Sequence, residues 1–246
     1  MNAYALTDVG RQRNMNQDYV FSTVKPVGNL PNLFIVADGM GGHKAGDLAS
    51  KFSVNTFIDC VKNSVSSKPV QIMSDAINHT NEELLKLAST SEDYRGMGTT
   101  FVVAVIYGRS MYVANIGDSR LYLADRELKQ VTRDHSYVEE MVQMGTLNRE
   151  DARTNEYKNV ITRALGGAEN VIPDFFEIEI EDNSRILMCT DGLTNMVTDK
   201  EIESVMSGHD DIMNKADKLV MMANQNGGKA VSYTHLRAHE TLRHLV

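Results

Sequence analysis

No basic block occurs anywhere in this chain, and 33 acidic residues against 25 basic ones leave a formal net charge of -8. That balance excludes a general binder of nucleic acid or of anionic membrane, and it leaves acidic side chains free to attract cations. Cysteine is scarce. Cys60 and Cys189 sit in apolar periodic segments without CxxC spacing and read as buried free thiols in a reducing compartment. No apolar run approaches bilayer length, and the start MNAYALTDVGRQR lacks a basic region followed by an apolar one. The expectation is a cytoplasmic protein with no membrane and no nucleic-acid partner. Internal repeats are also missing.

What is present is an ordinary globular composition, with 42% hydrophobic and 24% charged residues, enough to form a packed core. The length suits one sizeable domain. Short β-branched or aromatic runs at Ala3 to Thr7, Tyr19 to Val24 and Leu33 to Ala37 predict strands. Helical spacing follows over Gly46 to Val61 and Val70 to Ala88. TTFVVAVIY, MYVANI and RLYLAD, separated by GRS and GDS, then predict a meander of three strands.

Ser136 with Glu139 predicts a capping box opening a short helix, with Met141 and Met144 at core spacing. Gly145 to Asn159 is polar and irregular, as a functional flap would be. Strands at Phe175 to Ile180 and Arg185 to Thr190 precede helices around Asp199 to Met206 and Asp210 to Gln225. Grouped strands and paired helices predict an α+β fold in layers.

Three loops share one design, in which an apolar strand ends at an aspartate beside a glycine: Asp38-Gly39, Gly117-Asp118 and Asp191-Gly192. Asp-Gly makes turns, so each pair taken alone reads as a turn. Together with Asp18 they also suit a hard divalent cation, which prefers carboxylate, carbonyl and water oxygens. DGMGGHKAG fits neither GxxxxGK[ST] nor GxGxxG, which disfavours a nucleotide cradle. His135 in TRDHS reads as part of a structural cap at a helix start.

Seven motifs in chain order, RQRNMNQD, VADGMGGHKAG, GMGTT, NIGDSRLY, TRDHS, VITRALG and LMCTDGLTN, resemble the metal-dependent type 2C (PPM) serine/threonine protein phosphatases of compact bacterial type. The resemblance implies a four-layer α-β-β-α sandwich of two antiparallel sheets flanked by helix pairs. It implies two Mn2+ or Mg2+ ions held by Asp38, the Gly39 carbonyl and Asp191. A third, weaker ion would involve Asp118, and Asp18 would orient water from behind the ligands.

Arg13 matches the family's phosphate-binding arginine, and its planar fork suits phosphoryl oxygens. His43 is the candidate general acid. The implied reaction is in-line attack of a metal-activated water on phosphoserine or phosphothreonine in proteins, without a phospho-enzyme, in a monomer that opposes a bacterial Ser/Thr kinase.

The resemblance breaks at Lys229. Ala230 and Val231 stand where the family has Asp-Asn, and alanine cannot ligate a metal. The expected organisation is a phosphatase domain over 1–229, C-terminally truncated, and a non-family tail over 230–246. The last strand is expected to be missing or replaced, without strand alternation after Tyr233. VSYTHLRAHET looks like translated adaptor or vector sequence. His235 and His239, four apart, offer a helical metal pair that lacks a third ligand of known spacing. The alternative function is a catalytically impaired, phosphatase-like module that binds phosphoproteins.

Overall fold

The computed structural model describes residues 1–12, 15–42, 45–228 and 231–237. In chain order its elements are β1 (Asn2–Asp8), β2 (Asp18–Thr23), β3 (Leu33–Met40), α1 (Ala45–Asn63), α2 (Pro69–Ala88), β4 (Gly98–Thr99), β5 (Phe101–Tyr107), β6 (Ser110–Ile116), β7 (Arg120–Ala124), β8 (Leu128–Gln130), α3 (Tyr137–Gln143), α4 (Arg149–Ala152), β9 (Asp174–Glu179), β10 (Arg185–Cys189), α5 (Asp191–Thr194), α6 (Asp199–Ser207), α7 (Ile212–Gln225) and β11 (Val231–Arg237). One antiparallel sheet runs β1-β11-β10-β7-β8. The other runs β2-β3-β5-β6-β9, with β4 paired to the end of β3.

Strand alternation divides the apolar side chains among three interior layers. Phe34 and Val36 of β3, with Val102 and Ala104 of β5, meet Ile186 and Met188 between the two sheets. Their neighbours Leu33, Ile35, Phe101 and Val103 face the opposite way, onto Phe57 of α1 and Ile72 of α2. The rings of Phe57 and Phe101 pack tilted at 5.3 Å. Leu187 and Cys189 turn to Ile202 of α6 and Leu219 of α7. The result is the expected α-β-β-α layering, and it explains why the central strands read as unbroken apolar runs. Each fully buried Phe or Leu contributes about 2 kcal/mol of transfer free energy.

Several expectations change. The three-strand meander does not form: β5 and β6 pair, but β7 crosses to the other sheet and pairs with β10 and β8. The corner is Gly117, at φ +103°, whose missing Cβ leaves room for Thr100. Ser136 does cap α3 by accepting from the Glu139 N–H at 3.3 Å. The Glu139 carboxylate, however, accepts from Arg149 at 2.9 Å instead of closing a capping box. A complete box forms at Thr198 and Glu201 of α6. Met144 is 75% exposed and so is no core residue, because the short α3 ends before its side chain meets a second layer. Cys60 is half-buried and Cys189 buried, both free.

A strand does run past Tyr233. β11 extends to Arg237, built of tail sequence and inserted between β1 and β10. Backbone pairing on both sides holds it despite its polar composition, with Ser232 and Thr234 buried.

Candidate metal centre

Four aspartates mark one end of the sandwich. Asp18 opens β2 and stands directly opposite Asp38 of β3, so both carboxylates leave the same face of the ladder. Asp38 is fixed through its backbone. Its N–H donates to Thr100 Oγ1 at 2.9 Å, and its carbonyl accepts from the Thr100 N–H at 2.9 Å and from Thr99 Oγ1 at 3.0 Å. β10 leads into Thr190, and Asp191 starts α5, where its Oδ2 accepts from Asn195 Nδ2 at 2.8 Å. Asp118 sits on the corner that takes the chain from one sheet to the other.

The electrostatics describe a site short of positive charge. Burial, then the charges of Asp18, Asp191 and Asp118, hold the Asp38 carboxyl well above its ordinary range. Burial likewise pushes Asp18 up to about 6, against the lowering effect of hydrogen bonds from Thr190 and Ser232. Asp118 rises to about 8 through burial, Asp191 and Asp134, which outweigh Arg120. Arg120 is already committed, with Nε and Nη2 on the Asp134 carboxylate at 2.7–3.0 Å. Buried carboxylates raised in this way call for protons or for a cation.

The backbone suits a cation as well. A Cβ on Gly39 would meet the Gly46 carbonyl oxygen at 1.9 Å, so β3 and the start of α1 touch main chain to main chain. The Gly39 N–H donates to the Gln17 carbonyl at 3.0 Å, tying the loop before Asp18 to the same strand end. All the donors are hard oxygens, which fits Mg2+ or Mn2+ and not Zn2+ or copper. Among the described residues no three His, Cys, Asp or Glu side chains close around a single point. A centre that shares carboxylates and completes its shell with carbonyls and waters does not need such a cage.

Two groups support the site, of which Thr190 was not assigned from the sequence. Thr190 Oγ1 donates to Asp18 Oδ2 at 2.9 Å and accepts from the Ser232 N–H at 3.2 Å, which couples β2, β10 and β11 behind the site. Its only signal in the sequence is a hydroxyl immediately before the Asp-Gly pair. His135 is buried and clamps the Gly117 corner: its Nδ1 accepts from the Gly117 N–H at 3.2 Å, and its backbone N–H donates to the Gly117 carbonyl at 2.9 Å. That tautomer leaves Nε2–H for Asp174 at 3.2 Å. Burial keeps the His135 pKa below its ordinary value, so the ring is neutral. The structural reading of His135 holds, although the cap itself is Ser136.

Arg13, His43 and Ala230, expected to bind phosphate, to protonate the leaving group and to mark a missing ligand, lie outside the described residues, as do Lys229 and His239. The N–H groups of Arg11 and Gln12 both donate to the Gly228 carbonyl, at 2.7 and 3.0 Å.

The protein phosphatase 2C family matches residues 10–227. The serine/threonine phosphatase stp of Listeria monocytogenes is 38% identical over 93% of this chain and 92% of its own length. The serine/threonine phosphatase of S. agalactiae superposes with a TM-score of 0.89 at 33% identity, covering 97% of this chain and 99% of that one. The catalytic domain of PstP, solved in complex with two manganese ions, superposes with a TM-score of 0.83 at 27% identity, over 96% and 98% of the two chains. Motif order, four-layer fold and acidic strand ends agree with these likenesses, and the chain belongs to the protein phosphatase 2C family.

Proposed function

We propose that this chain removes phosphate from phosphoserine and phosphothreonine in proteins, opposing a bacterial Ser/Thr kinase, with divalent cations at the acidic end of the sandwich. The observation that carries this reading is the set of strand-end carboxylates Asp18, which is buried, and Asp38, Asp118 and Asp191, which are half-buried, in which the charges of the other three raise the pKa of Asp38.

Asp38, the Gly39 carbonyl and Asp191 would hold two Mn2+ or Mg2+ ions. Asp118 would contribute to a third, weaker one, and Asp18 would orient water. When bound, the ions supply an activated water and neutralise phosphoryl charge. The chain's own residues do the rest. Arg13 would bring a bidentate donor to the phosphoryl oxygens, and His43 an imidazole to protonate the departing alkoxide. Thr190 holds the Asp18 carboxylate toward the site, and the Thr99–Thr100 pair fixes the backbone of Asp38.

Residues 230–246 read as a segment foreign to the family in sequence, although the superposition on the S. agalactiae phosphatase covers 97% of the chain and so part of this segment. The family match stops at Gly227, and the hydroxyl of Thr234 is buried in β11 without a partner among the described residues. The side chain of Ala230 offers no oxygen ligand, so weaker metal binding is expected than an aspartate at that position would give. The alternative of a phosphoprotein-binding module without hydrolysis is not favoured, since the relatives are named as phosphatases. Phosphate release from a phosphothreonine peptide with Mn2+ tests the proposal. Release that is abolished by Asp38→Ala supports it, and release that survives this substitution refutes it.

A further inference from the structure

Beside Asp118 and Asp191 lies a cleft of about 170 Å3 whose far wall is basic. Arg149 and Arg153 reach it from α4 and the residue after it, and Lys158 from the segment that returns to the core. Most charges lining the cleft are already matched. Asp134 is held by Arg120, Glu139 by Arg149, and Asp199 accepts from the Tyr122 hydroxyl at 3.1 Å. Among the described residues neither Arg153 nor Lys158 has a carboxylate within ion-pair distance, and Arg153 reaches exposed Glu201 only as a longer-range charge.

The wall is built, and its position over the site is fixed. The Tyr137 N–H donates to the Val160 carbonyl at 2.8 Å, Thr162 N–H to the His135 carbonyl at 2.8 Å, and the rings of Tyr137 and Tyr157 meet edge to face at 5.6 Å. Buried Glu139 pins Arg149 and with it α4. The cleft therefore runs from a carboxylate end that takes cations to a wall that presents two unmatched cations.

We propose that Arg153 and Lys158 form a specificity subsite for an anionic group, a carboxylate or a second phosphoryl, on the substrate a few residues from the phosphoserine or phosphothreonine. This rests on the phosphatase reading above for the identity of the substrate. Two partly exposed cations steer and hold an anion without taking part in the reaction at phosphorus.

Fluorescence anisotropy with three peptides tests it, each carrying a non-hydrolysable phosphothreonine mimic, flanked by neutral residues, by glutamates or by a phosphoserine. Glutamate flanks are expected to tighten binding about fivefold over neutral ones, and the phosphoserine flank to tighten it at least as much. Arg153→Ala with Lys158→Ala removes the gain, and Arg153→Gln, an exposed position that folding does not depend on, removes about half of it. Equal tightening by glutamate and phosphoserine assigns the subsite to charge alone, and tightening by phosphoserine only assigns it to phosphoryl.

Hydrolysis of para-nitrophenyl phosphate, which carries no flanking anionic group, is expected to change less in these variants than the affinity for acidic peptides. If the unsubstituted chain fails to hydrolyse it, the phosphatase reading falls while the anisotropy series still decides the subsite. Equal affinity for neutral and acidic peptides, or a gain that survives both substitutions, overturns the inference.

Discussion

Asp18 and Asp38 oppose each other directly across the β2–β3 ladder, a buried and a half-buried carboxylate of like charge. Such a pair costs stability unless a proton or a cation sits with it.

A pH dependence follows with a definite sign. Asp18 and Asp118 have folded-state pKa values of about 6 and about 8, raised from 3.8. Their protonated forms favour the fold, so their contribution is full below 3.8 and is lost as pH rises through those values. With chelator present, the melting temperature should fall between about pH 5 and pH 8. Saturating Mn2+ should remove that fall, and a chelated chain that gains stability over this range would contradict the assignment.

Thr190 ties Asp18 to β11. Thr190→Val removes a donor to a buried carboxylate and an acceptor for the Ser232 N–H, and should cost about 1–3 kcal/mol in urea denaturation. Weaker Mn2+ binding should accompany the loss, whereas Thr190→Ser should retain most of both.

Gly39 leaves no room for a side chain. Gly39→Ala drives a methyl group into the Gly46 carbonyl and toward that of Gln17, so about 2–4 kcal/mol of destabilisation is expected. Gly42→Ala, where nothing among the described residues lies within 4 Å of the added methyl, is the control in the same loop and should change stability by less than about 0.5 kcal/mol.

β11 carries a fault that can be repaired. Thr234 is fully buried with its hydroxyl unpartnered among the described residues. Thr234→Val keeps the shape and removes the desolvated oxygen, and should raise unfolding free energy by about 1 kcal/mol. A loss of stability would mean that the hydroxyl has a partner.

Ala230→Asp supplies the oxygen ligand that the sequence lacks. Because even an outer partner of a metal ligand is worth about tenfold in affinity, Mn2+ binding and phosphate release should each rise by at least about that factor. No change would remove the argument that this position completes the centre.

Much of the fold was legible because β3 and β5 stand out as apolar runs and α2 and α7 as helical periods, and the acidic strand ends were visible as Asp-Gly pairs. What escaped was long-range. Nothing local to GDSRLY distinguishes a hairpin from a corner between sheets; the difference lies in Thr100 filling the space at Gly117 and His135 clamping it from 18 residues away. The tail misled for the complementary reason. Its sequence shows no clear polar/apolar alternation after Tyr233, yet a slot between β1 and β10 with backbone donors and acceptors on both sides imposes the strand. Thr190 was overlooked because a buried hydroxyl acquires its role only from the carboxylate that another strand delivers.

Calorimetric titration of Mn2+ into the chelator-stripped chain and into its Asp38→Ala variant tests the central claim most directly. Saturable binding in the chain and its loss in the variant are the predicted result. Equal binding in both would contradict a metal centre built on Asp38.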